Sequence, residues 1–267
     1  MHIDRLKRIL AYSQKIQGNI QYQVKKFYSV IGMENDREVL NILQVVRGAL
    51  KKKNYYIFEL PFADEEIGAL SYKGDTQGYI IINSSLPKVN THFAMCHEAY
   101  HVFYQENEFK SKAEFGNDSY YEHEQEYAAN LFAGMVLMPE SSFRVMYDLF
   151  KKESEGKEKD TILRLMNYYQ APYMSVLIRC YELGLPESGT VPSELLNMDI
   201  SEIKKSCNEL WLDESILEAS RKDDFQNIRK LVEIQGNRYI KDAYINEYTL
   251  KKVLQNIDTL YLKIKGE

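Results

Sequence analysis

The chain has 267 residues, 45% of them apolar and 12% aromatic, enough for one large domain or a main domain with a smaller appendage. Its 34 basic and 39 acidic residues give a net charge of −5, which argues against retention on nucleic acid by bulk charge and leaves only a local basic patch open. Three scattered cysteines (Cys96, Cys180 and Cys207) lack C-x-x-C spacing and exclude a disulfide framework or cysteine zinc knuckle, and no apolar run reaches the ~18–20 residues that span a bilayer.

The opening MHIDRLKRIL is charged and has no apolar stretch, so no signal peptide is expected, and the chain reads as a soluble, cytoplasmic protein with reduced thiols. From residue 3 to about residue 31, Ile3, Leu6, Ile9, Leu10, Tyr12, Ile16, Ile20 and Val24 recur at mostly helical intervals. Gly18 leaves one long helix or two shorter ones open. Glu34-Asn35-Asp36 offers caps for a second helix through Val39, Leu43, Val46 and Leu50, closed by Lys51-Lys52-Lys53. Those lysines read as a solvated helix end, where positive charge suits the dipole, rather than as a phosphate-binding patch. Three strands follow, at Tyr55–Leu60, Ile67–Tyr72 and Gly78–Asn83, with Lys73-Gly74-Asp75 as a turn. They are expected to form a small antiparallel sheet whose Gly78–Asn83 edge can accept an extended substrate by strand addition.

Residues 90 to 101 read NTHFAMCHEAYH and end in His97-Glu98-Ala99-Tyr100-His101, the pattern H-E-x-x-H. Residues four apart on a helix share a face, so both imidazoles can reach one metal ion with Glu98 beside them as general base. Cys96 points about 100° away from His97 around that helix and reads as a small buried residue. A loop is expected over 106–119. A helix beginning Glu122-His123-Glu124-Gln125-Glu126 follows, turns wholly apolar and stops at Pro139.

A catalytic site needs a third protein ligand, and Glu122, His123, Glu124 and Glu126 are candidates. Glu126 is best placed, at the border where the acidic turn gives way to buried helix. Asn130, one turn on, can hydrogen-bond that carboxylate, and Ala129 and Ala133 let two helices approach. Tyr120, Tyr121 and His123 are close enough in sequence to offer a further electrophile, and none is singled out.

From Ser141 to Leu185 the pattern is again helical, with Lys151–Asp160 as a charged connection. Leu163–Tyr169, Ala171-Pro172 and Tyr173–Tyr181 have the outline of a helix-turn-helix, yet basic and acidic residues there nearly balance. Packing is therefore the expected role, and DNA binding is weakly supported. Pro186–Pro192 reads as a linker, and Ser193–Glu267 as an amphipathic helical tail of open role.

The run ending in HEAYH, followed by Glu126-Tyr127-Ala128-Ala129-Asn130-Leu131-Phe132-Ala133-Gly134-Met135-Val136-Leu137-Met138-Pro139, resembles the ImmA/IrrE family of zinc metallopeptidases. The resemblance covers about residues 36–185 and extends to the strand and IIINSSLP before the first motif. It implies Zn2+, one ion per chain, on His97, His101 and Glu126, with Glu98 as catalytic base. It further implies a specific protein substrate, of the helix-turn-helix repressor type, and hence regulation of transcription by antirepression. Two positions depart from the family pattern: Tyr100 stands where Gly is usual, and Ala128 where a second Glu is frequent.

The expected architecture is α+β: mostly helical, with the small antiparallel sheet packed beside a zincin-like HExxH helix and a helical C-terminal extension. Its expected segments are a helical 1–35, a metallopeptidase core 36–140, a helix-turn-helix-like 141–185 and a helical 193–267. The alternative is a metal-containing regulator that binds protein or DNA without proteolysis, which has no need of Glu98.

Overall fold

The structure, a computed structural model, describes residues 1–33, 39, 41–74, 76–105, 124–186 and 189–266, with the side chains of Glu124 and Gln125 left out. Helix α1 (Ile3–Ile31) is unbroken. Gly18 lies on its exposed side, so it interrupts nothing. Helix α2 (Ile42–Lys52) starts after Asn41 in the left-handed conformation, while the expected caps at 34–36 lie outside the described residues. Three strands follow: β1 (Tyr55–Leu60), β2 (Ala69–Lys73) and β3 (Gly78–Asn83).

The sheet is mixed, which corrects the antiparallel expectation. Its order is β1-β3-β2, with β1 parallel and β2 antiparallel to β3. Strand β3 takes the centre because both its faces are apolar: Ile80 and Ile82 enter the main core, and Ile81 the opposite one. A central strand has no free edge, so strand addition at Gly78–Asn83 is excluded; the edge beside the β3 hairpin belongs to β2. Gly78 is required where it stands, since a Cβ there would lie 2.2 Å from the Tyr55 ring.

Helix α3 (Lys88–Tyr104) lies against the inner face of the sheet and carries HEAYH; α4 (Glu124–Leu137) packs on α3. Fully buried Ala99, Ala129 and Ala133 allow that approach. Helix α1 braces both through an aromatic cluster: Phe27 meets Phe132 at 5.6 Å and Phe103 at 5.2 Å, edge to face. Tyr100 belongs to this cluster, 5.6 Å from Phe132 and 6% exposed. Tyr100, one of the two residues that depart from the expected pattern, therefore fills the core on the side of α3 where α1 and α4 meet.

Helices α5 (Glu140–Glu153), α6 (Glu158–Tyr169) and α7 (Tyr173–Glu182) follow, and the charged connection shrinks to Ser154–Lys157. Helices α6 and α7 do turn about Gln170-Ala171-Pro172, but no residue of α7 is exposed. A recognition helix must show a face to the groove. In α7 Tyr173, Val176, Leu177, Arg179 and Cys180 are buried, and Met174, Ser175, Ile178 and Tyr181 are only partly exposed.

The tail holds α8 (Ser193–Leu196), α9 (Ile200–Glu209), α10 (Phe225–Lys241) and α11 (Glu247–Lys265). Helices α10 and α11 form a hairpin, closed tightly because Gly236 has no Cβ to meet Leu250 Cδ1, which would lie 2.2 Å away. The hairpin caps the outer face of the sheet: Phe225, Ile257, Tyr261 and Ile264 cover Leu60, Phe62, Leu70 and Ile81. Polar ties fix it there. Asp224 accepts from the Glu59 N–H at 3.0 Å and donates its own N–H to Glu59 O at 2.9 Å, and Ala63 N–H donates to Ile264 O at 2.8 Å. Lys222 bridges Glu59 and Asp224 at 3.2 and 3.1 Å. No helix among the described residues is long and apolar enough to cross a membrane.

Candidate metal centre

The one-turn spacing on α3 stacks His97 and His101, ring centroids 4.8 Å apart. Glu126, in the first turn of α4, faces them, and its negative charge suits that helix end. The donor atoms converge. His97 Nε2 lies 3.0 Å from His101 Nε2 and 3.1 Å from Glu126 Oε2, and His101 Nε2 lies 3.8 Å from the same oxygen. His101 is almost wholly buried, while His97 and Glu126 keep narrow solvent access. Among the described residues these three form the candidate metal-ligand group.

The far side of each imidazole decides what the near side can do. His97 Nδ1 donates to Asn130 Oδ1 at 2.9 Å, and His101 Nδ1 donates to Gln105 Oε1. With both protons held at Nδ1, both Nε2 lone pairs point at one another and at a carboxylate. Only a cation relieves that repulsion: a proton on His97 bridging to Glu126, or a metal ion bonded to all three. The spacing suits the ion. Donors ~2.0–2.1 Å from a tetrahedral centre lie roughly 3.3 Å from one another. The observed edges of 3.0, 3.1 and 3.8 Å bracket that value. Two imidazoles and one carboxylate also form a donor set for a divalent ion of borderline character.

Asn130 thus bonds His97, not the Glu126 carboxylate as the sequence led us to expect. Its i+4 position from Glu126 puts it one turn deeper in the core, level with His97 on the facing helix. Gln105 escaped the sequence reading, although its spacing of four from His101 repeats the helical logic of the motif. It sits at the C-cap of α3, where its own N–H bonds His101 O. Glu98 is 2% exposed. Cys96 is fully buried, and burial pushes its thiol up to about 12, so it supplies no thiolate. Glu122, His123, Tyr120 and Tyr121 lie outside the described residues, as does the Glu124 side chain.

Losing either amide should loosen the metal without unfolding the chain. Asn130→Ala and Gln105→Ala are each expected to weaken metal affinity about 10–100-fold, as such supporting bonds generally do. Titration against a chromophoric chelator measures it, and unchanged affinity in both variants would show that neither amide orients its imidazole.

Residues 50–181 match the model of the IrrE N-terminal-like domain, peptidase M78. The match begins at the end of α2, takes in the sheet, both motif helices and α5–α7, and leaves out α1 and the hairpin of the tail. No curated protein matches the chain in sequence. With the expected motifs on facing helices and their candidate ligand atoms gathered at one point, residues 50–181 form an IrrE N-terminal-like domain of the ImmA/IrrE metallopeptidase family.

Proposed function

We propose that the protein is a zinc-dependent peptidase that cuts a peptide bond in a specific protein substrate, with Zn2+ on His97, His101 and Glu126. The observation that carries this reading is the convergence of two lone-pair-bearing Nε2 atoms on one carboxylate oxygen, each imidazole fixed from behind by an amide. A divalent ion there supplies Lewis-acid polarisation and lowers the pKa of water towards ~7. Glu98, next in the chain to a ligand, takes the proton of the attacking water and delivers it to the departing amine. Asn130 and Gln105 hold the ligand tautomers, and the buried aromatic cluster behind α3 keeps the two motif helices in register.

An extended substrate backbone is best placed on β2, the strand at the sheet edge, whose approach from Gly68 lies against Ala94 of α3. The family resemblance supports a helix-turn-helix repressor as substrate and control of transcription as outcome. Three free, buried cysteines accord with a cytoplasmic setting.

Elemental analysis of the purified chain tests the centre. The expected result is about one zinc per chain, lost in His101→Ala and in Glu126→Ala. Retention in Glu126→Ala would move the third ligand elsewhere, and a wild type that stays metal-free after reconstitution with zinc would end the peptidase reading.

A further inference from the structure

The start of the metal helix is held from far along the chain. Helix α3 begins after Pro87, which has no side-chain acceptor to offer the N–H groups of the first turn. Asn90 and Thr91 donate to Pro87 O at 2.9 and 3.2 Å, and Lys88 N–H donates to Glu218 O at 3.1 Å. That carbonyl belongs to the tail, outside the matched residues 50–181. The residues after it strengthen the grip. Ala219 forms an antiparallel bridge with Pro87, Arg221 N–H donates to Ser84 O at 2.9 Å, and Ser84 Oγ donates to Lys222 O at 2.6 Å. Ser84 is fully buried, and Ile216 and Leu217, just ahead of Glu218, enter the main core. Residues 218–222 therefore lie as a strap across the connection from β3 to α3, on the helix that carries His97 and His101.

The strap runs through Asp223 and Asp224 directly into α10, and this end is lightly held. Within α10 and α11 only Phe225, Gly236 and Leu250 are buried. The apolar cluster beneath the hairpin is small and separate from the main core. An element with few buried contacts opens locally, at a lower free energy than the whole domain. Tyr261 of α11 closes the junction: its ring stacks on Phe225 at 3.8 Å and 9°, and its hydroxyl donates to Asp223.

We propose that the hairpin regulates the metal centre through this strap. Docked, it caps α3 and keeps His97 and His101 in register with Glu126 of α4. Open, it releases the cap, and the first turn of α3 is free to fray and shift. Ligands on two different helices must be held within about 0.5 Å of their productive places, so metal affinity falls when one helix loses its mounting. Linkage makes the effect reciprocal: the factor that docking adds to metal affinity is the factor that metal adds to docking. The ion rests on the zinc reading given above, and the coupling on the bonds between residues 218–224 and the start of α3.

Zinc titration against a chromophoric chelator, together with amide exchange, tests this on the full chain. Asp224→Ala, which unties the strap from Glu59, and Tyr261→Ala, which opens the junction from α11, are each expected to weaken zinc binding roughly 5- to 150-fold. Tyr261→Phe keeps the ring stack and should restore most of the affinity. Saturating zinc should slow those α10 and α11 amides that exchange by local opening, a response that a tail serving stability alone would not give. Unchanged zinc affinity in both alanine variants would overturn the proposal, as would hairpin exchange indifferent to zinc. The zinc reading can fail separately. In a wild type that takes up no zinc, faster exchange of the Lys88 N–H in Tyr261→Ala would still support the coupling of hairpin to α3. An unmoved Lys88 rate would overturn it.

Discussion

Glu98→Gln is expected to lower peptide-bond cleavage by about 10²–10⁴-fold while leaving the metal in place. Gln has the volume and shape of Glu, so a site only 2% exposed is not disturbed by the exchange. What disappears is the ability to accept a proton. A library of quenched fluorogenic peptides reports the rate, and elemental analysis of the same sample reports the metal. Metal loss together with activity would make Glu98 a contributor to ligation rather than the base. Undiminished cleavage would remove it from the chemistry altogether. The same variant separates a protease from a regulator that acts by binding, because the latter should not respond to it.

Arg179→Met is expected to destabilise the chain by about 3–5 kcal/mol, the usual cost of stripping one partner from a buried ion pair. Arg179 and Glu182 face each other at 3.3 Å with side chains 3% and 9% exposed. Arg179 Nε also donates to Met138 O just past the end of α4, and Ser13 of α1 donates to the other oxygen of Glu182 at 2.8 Å. Burial pushes the Glu182 carboxyl up, against the lowering effects of Arg179 and Ser13. A carboxyl raised in the folded chain binds its proton more tightly there than in the unfolded chain. Its favourable contribution is therefore complete below the unfolded-state pKa and is lost as pH rises through the folded value. Without Arg179 that rise should be larger, so the penalty should be greatest at neutral and alkaline pH and shrink under mildly acidic conditions. Urea denaturation at both pH values measures this. An equal penalty at both would mean that the loss comes from packing, and Arg179→Met/Glu182→Leu should recover most of the stability.

The grouping of the candidate ligands was legible because it is local. His97 and His101 are spaced by one helical turn, and Glu126 announces itself where an acidic turn becomes an apolar helix. Strands β1 and β3 were legible for a similar reason: each is a short aromatic or branched run between turn residues. What escaped depends on partners far apart in the chain. The order β1-β3-β2 follows from apolar groups on both sides of β3, and the second of those sides is supplied by helices 140 residues and more downstream. Asn130 was placed near the site correctly, but its choice of His97 over Glu126 is a matter of how α3 and α4 face each other. Gln105 carries the right spacing yet no chemical flag, since glutamine at a helix end is unremarkable until an imidazole is seen against it. The outline of a helix-turn-helix was legible too, as α6 and α7 joined about Gln170-Ala171-Pro172.

The bond between Ala63 and Ile264 has a consequence for the order of synthesis. At about 5–20 residues per second, some 10–40 s separate the appearance of the first partner from that of the second. The rest of the sheet and both motif helices are synthesised within that interval, well before α11, while Leu60, Phe62 and Ile81 still await their cover. The nascent chain can thus meet a metal ion before its outer sheet face is shielded. In that interval it also carries an uncovered apolar surface beside the β2 edge, which makes early synthesis the stage at which this protein is most dependent on chaperones.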